Sequence, residues 1–174
     1  TLRTADDLQD AIDALLADVG GDPAQVDDLI LGNAAGPAGN LARRAALGSA
    51  LGESVPGMTI DRQCAAGLEA ILVAARMVDA GAAQVVFAGG TESASTSPRR
   101  SDPSRDPTRT GRPLFPRTPF APVGSDDPGM AEAAQAVADR FGISRARQDA
   151  YAARSQERFA AATAAGVLEA ERVS

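Results

Sequence analysis

A chain of 174 residues that is 44% hydrophobic but only 3% aromatic can build one domain with a sizeable core, packed from Ala, Val, Leu and Ile around closely approaching backbones. Its net charge of −6 argues against a general binder of nucleic acid or of anionic membranes, since both partners need positive surface. One cysteine excludes an intramolecular disulfide and points to a reducing, cytoplasmic setting, and no apolar run approaches the roughly 18 residues of a membrane span.

From Ala5 to Val19, Leu8, Ile12, Leu15, Leu16 and Val19 recur at helical spacing until Gly20-Gly21 stops the pattern. Asp28-Leu-Ile-Leu-Gly32 reads as a short buried strand, followed by the glycine-rich loop Gly32–Asn40. A helix is expected from about Asn40 to Leu51, a strand near Gly57–Ile60, and a second helix after Cys64 carrying Leu68, Ile71, Leu72, Ala75 and Val78. Gln84–Ala88 is another strand candidate, closed by Gly89-Gly90. Strands alternating with helices over short connections predict a largely parallel sheet covered by helices, an α/β class.

The pattern breaks at Ser93. From there to Asp127 the chain is rich in Pro, Ser, Arg and Asp without a period, the composition of a functional or partly disordered loop. Helical spacing resumes with Met130, Ala134, Val137 and Phe141. Ser144 then reads as the N-cap of a last helix carrying Tyr151, Ser155, Phe159 and Ala162 and ending at Gly166.

Cys64 stands where the strand near Ile60 gives way to a helix. As a small hydrophobe it could be a core residue, because free cysteines are often buried. At the mouth of a helix, however, a thiolate faces unpaired backbone N–H groups and the positive end of the macrodipole. Ala65, Ala66 and Gly67 leave room for a substrate to reach the sulfur. Strand, sharp turn and nucleophile opening a helix is the logic of a nucleophile elbow, here with sulfur. On this reading Cys64 lies in the first turn of the helix and Gly67 one turn further on.

Two segments carry a family resemblance: Asp-Arg-Gln-Cys-Ala-Ala-Gly-Leu-Glu-Ala (61–70) and Ala-Gly-Gly-Thr-Glu-Ser-Ala-Ser-Thr-Ser-Pro (88–98). Together with Gly32-Asn33, Ala42–Leu47, Val55–Thr59 and Gly142–Ser155 in the same order, they resemble the thiolase family of acyl-CoA acyltransferases. The resemblance covers nearly the whole chain. It implies a thiolase-like α/β fold, seen as the N-terminal half of a larger chain. Residues 1–97 would form the α/β domain without its first strand. Residues 98–174 would form a loop-rich insertion with two helices that covers the active site.

The resemblance also implies a chemistry. The Cys64 thiolate would attack an acyl-CoA thioester and hold the acyl group, with its own backbone N–H in an oxyanion hole. The acyl-enzyme would then make 3-ketoacyl-CoA, or be formed by cleaving it. Coenzyme A thioesters would be substrates, with no further cofactor, and the protein would be a homodimer or homotetramer. A histidine from a Gly-His-Pro motif and a second cysteine from Cys-x-Gly complete the family's site; this sequence has no histidine and one cysteine, so by itself it is not expected to turn over. Where many thiolases have His-Met-Gly, it reads Pro128-Gly129-Met130-Ala131, which keeps Met130 as a lining residue of the CoA channel and has no counterpart of the histidine.

Three other readings remain. One is a ketoacyl-synthase-like condensing enzyme, against which Asp-Arg-Gln-Cys and Glu92-Ser93 speak. Another is a non-catalytic thiolase-like binding or assembly subunit. The third is a redox-sensing protein with Cys64 as its switch, which would leave the rest of the match unexplained. The six arginines at positions 99, 100, 105, 109, 112 and 117 could meet CoA phosphates or form a solvated basic loop. The paired carboxylates Asp6/Asp7 and Asp27/Asp28 read as caps.

Overall fold

Residues Asp28–Gly32 form strand β1 and are almost entirely buried, as expected of a short apolar run covered on both faces. The computed structural model describes residues 5–36, 39–98, 119–122 and 124–172. Two compact units divide the chain, Thr1–Arg99 with Val173–Ser174, and Arg100–Arg172.

In the first unit, helix α1 spans Ala5–Asp18, α2 Leu41–Gly48 and α3 Ala66–Asp79; strand β2 spans Gly57–Ile60 and β3 Val86–Gly90. The sheet is parallel in the order β2-β1-β3. Successive side chains of β1 point to opposite faces. Leu29 and Leu31 enter a cluster with Leu8, Ile12, Leu16, Ala42, Ala45, Leu51 and Val55 from the α1/α2 side. Ile30 packs on the other side against Ala70 and Ala74 of α3. A fully buried leucine is worth about 1.5–3 kcal/mol relative to exposure, so the α1/α2 side holds most of the hydrophobic stabilisation.

The bounds of α2 and β3 differ from the sequence expectation. Helix α2 ends at Gly48 rather than Leu51, with Ser49 already extended and Gly52 left-handed at φ 66°. A side chain at position 48 would meet the Gln9 side-chain amide of α1, which can move aside. Strand β3 begins at Val86 rather than Gln84, because the Asp27 carboxylate accepts the N–H groups of Gln84 (2.6 Å) and Val85 (3.1 Å). At its other end β3 runs through Gly89 and Gly90, which pair with Leu31 and Gly32 instead of closing the strand.

The second unit holds helix α4, Met130–Phe141, and α5, Arg145–Ala164. Glu132 accepts the Gly129 N–H at 2.8 Å and so caps the start of α4, and Gly142 ends it at φ 61° with Ile143 N–H returned to the Ala138 carbonyl. The Ser144 hydroxyl accepts Arg147 N–H, the cap expected from sequence, and α5 ends at Ala164, two residues before Gly166. Ala138 is the one buried hydrophobic residue among the described residues of this unit.

Candidate active site

Parallel register brings the carboxyl ends of β1, β2 and β3, at Gly32, Ile60 and Gly90, to one edge of the sheet. Open α/β sheets place ligands at this edge. After β2 the chain must reverse direction into α3 within a few residues. Asp61 accepts the Gln63 N–H at 2.9 Å, Ala65 N–H bonds back to Arg62, and Ala66 N–H to Gln63. Gln63 adopts φ 51°, the one left-handed non-glycine among the described residues. Such a backbone costs of order 1–3 kcal/mol and persists where its surroundings fix it. Here the surroundings include the Arg62–Glu69 ion pair at 2.5 Å, which ties the turn to the first turn of α3, with Arg76 on the other oxygen of Glu69 at 3.4 Å.

The left-handed residue lifts the next one, Cys64, out of the helix, and the thiol is exposed. The sequence expectation put Cys64 in the first turn; instead α3 begins two residues later at Ala66, with no side-chain cap at Ala65. Gly67 is therefore the second residue of the helix rather than one turn along it. Within these 174 residues Cys64 is exposed rather than packed in the core.

Below the thiol, three glycines from three elements meet. A Cβ at Gly32 would lie deep inside the backbone at Ala66 and Gly67. A Cβ at Gly90 would lie 3.0 Å from the Gly32 carbonyl oxygen and 3.2 Å from Gly67 Cα, whereas one at Gly67 would make ordinary contacts at 3.9 Å. The close approach thus belongs chiefly to Gly32, with Gly90 second. Asn33, Ala34, Thr91 and Glu92 complete the open hollow in which Cys64 sits.

Glu92 lines this hollow, although no role for it was read from the sequence. One carboxylate oxygen accepts Ala34 N–H at 3.0 Å and Ala35 N–H at 2.8 Å, and the other accepts the Asn33 side-chain amide at 3.3 Å. Asn33 also donates to the Thr91 carbonyl at 2.8 Å and accepts Gly36 N–H at 3.0 Å. An acidic residue two positions after a Gly-Gly strand end was the available signal.

Met130 lies in the second unit as the first residue of α4, 73% exposed. The loop arginines at 99, 100, 105, 109, 112 and 117 lie outside the described residues. Among the described residues no group of three His, Cys, Asp or Glu could hold a metal ion, and no helix is long and apolar enough to cross a membrane. Away from the hollow, the backbone N–H groups of Gln84 and then Val85 hold the Asp27 carboxyl below its ordinary range.

Residues 2–173 match the family model for the thiolase N-terminal domain. The chain belongs to the thiolase family. It is 45% identical over 135 residues to the protein named "Putative acetyl-CoA C-acetyltransferase VraB" of Staphylococcus aureus (strain MRSA252), covering 77% of this chain and 35% of that protein. The protein of the same name from Staphylococcus haemolyticus is 47% identical over 132 residues, 75% of this chain and 34% of its own. The crystal structure of the Bacillus anthracis acetyl-CoA acetyltransferase superposes with a TM-score of 0.78 at 31% identity, over 95% of this chain and 42% of that one. The chain thus spans about a third of the length of these curated relatives, and the fold is that of a thiolase.

Proposed function

We propose that this chain carries the nucleophile of an acyl-CoA acyltransferase, with Cys64 as the acyl acceptor. The observation that carries the reading is Cys64 itself: exposed, set by a left-handed turn at the carboxyl edge of a parallel sheet, and standing ahead of an uncapped helix start. The thiolate sulfur attacks the thioester carbonyl carbon, the electron pair moves to oxygen, and collapse expels CoA as its thiolate to leave acetyl-Cys64. The Cys64 backbone N–H stabilises the developing oxyanion. Condensation with a second acetyl-CoA, after loss of its α-proton, transfers the acyl group and gives a 3-ketoacyl-CoA; cleavage is the reverse. The thiol proton passes to a base as the sulfur attacks. Met130 contributes to the CoA channel, and the full-length protein is at least a homodimer.

Incubation of the full-length protein with acetyl-CoA, followed by peptide mass spectrometry, is expected to find one acetyl group on Cys64. Acetyl-CoA should also protect that thiol from iodoacetamide, and Cys64→Ala should lower turnover by at least about 10³-fold, the scale of losing a nucleophile. A thiol that is alkylated only on unfolding, or equally with and without acetyl-CoA, would overturn the reading.

A further inference from the structure

We propose that Glu92 is a positioning residue, which together with Asn33 holds the loop after β1 as one wall of the hollow that contains Cys64 and thereby governs how a thioester settles against the sulfur. The inference rests on the reading of Cys64 as acyl acceptor.

The loop that leaves β1 at Asn33 has no regular structure to satisfy its backbone. Its N–H groups need acceptors from elsewhere, and unmet ones would let the loop exchange conformations. Glu92 takes Ala34 and Ala35 on a single oxygen, while its second oxygen meets the Asn33 amide. Asn33 closes the circuit by donating to Thr91, the residue before Glu92, and by accepting Gly36 N–H within its own loop. Thr91 N–H bonds in turn to the Gly32 carbonyl at 3.1 Å, and the Ser97 hydroxyl donates to the Ala35 carbonyl at 2.8 Å. Residues 33–36 and 91–92 are therefore one cross-linked edge, anchored at Gly32 and Gly90, the glycines against which the start of α3 packs. Hydrogen bonds to an ionised acceptor are about twice as strong as neutral ones. Both oxygens of Glu92 are engaged with loop donors, so its contribution is to shape, not to proton transfer.

A substitution series separates these duties. In Glu92→Gln the amide oxygen can still take Ala34 and Ala35 N–H, so only the Asn33 contact is lost. Glu92→Asp keeps the charge but is one methylene short, and Glu92→Ala removes every acceptor. In the full-length protein, acetylation of Cys64 by acetyl-CoA is followed by rapid quench, and amide exchange at Ala34 and Ala35 by mass spectrometry. Glu92→Ala is expected to raise the half-saturating acetyl-CoA concentration by about tenfold, roughly 1.4 kcal/mol, and to speed exchange at both amides. Glu92→Asp should fall with it and serves in its place if the alanine variant does not fold, whereas Glu92→Gln should restore most of both. Alkylation of Cys64 by iodoacetamide, too small to need the wall, should keep the parent rate throughout. Parent-like acetylation and exchange in Glu92→Ala would overturn the proposal, as would a Glu92→Gln as slow as the alanine variant, which would make the carboxylate a chemical participant. If the parent itself is never acetylated on Cys64, the acyl-acceptor reading fails on its own, and unchanged amide exchange in Glu92→Ala would still overturn the clamp.

Discussion

At the amino end of the sheet the Asp27 carboxylate crosses from β1 to β3 and accepts the N–H groups of Gln84 and Val85. At the carboxyl end the Glu92 carboxylate crosses back from β3 to β1 and accepts those of Ala34 and Ala35. The same device, one acidic side chain taking two successive amides of the neighbouring strand's flank, closes both ends of the β1–β3 pair. What differs is the company. Around Glu92, glycines from β1, β3 and α3 bring three backbones together beside a left-handed Gln63 and an exposed thiol. Around Asp27 lie Gln25 and the turn residues 81–85, with no nucleophile. A carboxylate staple thus belongs to the ending of a strand pair, whereas backbone compaction and a strained residue mark the end where chemistry is expected.

The largest effect that would sharpen this contrast is at Gly32. Gly32→Ala forces a methyl into the backbone of Ala66 and Gly67 and should cost about 1–3 kcal/mol as overpacking, read as a lower urea midpoint of the full-length protein together with slower acetylation of Cys64. A parent-like Gly32→Ala protein would break the claim that the carboxyl end is compacted. Asp27→Asn should have a smaller effect, confined to stability, with Cys64 acetylation unchanged. Its sign with pH follows from the lowered carboxyl of Asp27 in the fold: the stabilisation is fully present above the unfolded carboxylate's range and fades as pH falls through the lower folded value. Urea midpoints of parent and Asp27→Asn should differ at neutral pH and converge in strong acid; a constant gap would contradict the assignment. The smallest effect is expected at Gly67→Ala, where the added methyl makes only ordinary contacts. Removing a helical glycine gains up to about 1 kcal/mol, so thermal unfolding should move little and, if at all, upward. A loss comparable to that of Gly32→Ala would show the close approach to be shared equally.

The elements governed by local chemistry were legible in the sequence. Residues Asp28–Gly32 and Gly57–Ile60 and the Ser144 cap all lie where apolar runs and a hydroxyl put them. The start of β3 was set by a partner far along the chain, since Asp27 holds Gln84 and Val85. Cys64 stood out through residue type and its strand-to-helix position. The left-handed Gln63 did not, since glutamine has no preference for that region and the turn is imposed by Asp61, Arg62 and Glu69. Glu92 was visible as a motif residue without a role, because its partners Ala34 and Ala35 lie 58 and 57 residues away.

The parallel pairing of β1 with β3 has a consequence in time. β1 sits between its two neighbours, and β3, paired from Asp28↔Val86 onward, is synthesised after both of the strands it joins among the described residues. Closing so long a segment carries a larger chain-entropy cost than bringing β2 beside β1, and pairings distant in sequence form slowly. On a growing chain Cys64 therefore emerges before Gly90, Thr91 and Glu92, which line the same hollow. For that interval the cysteine is an ordinary thiol on an unfinished sheet, open to whatever electrophile or partner thiol the nascent chain meets. The hollow around it takes shape only when β3 docks.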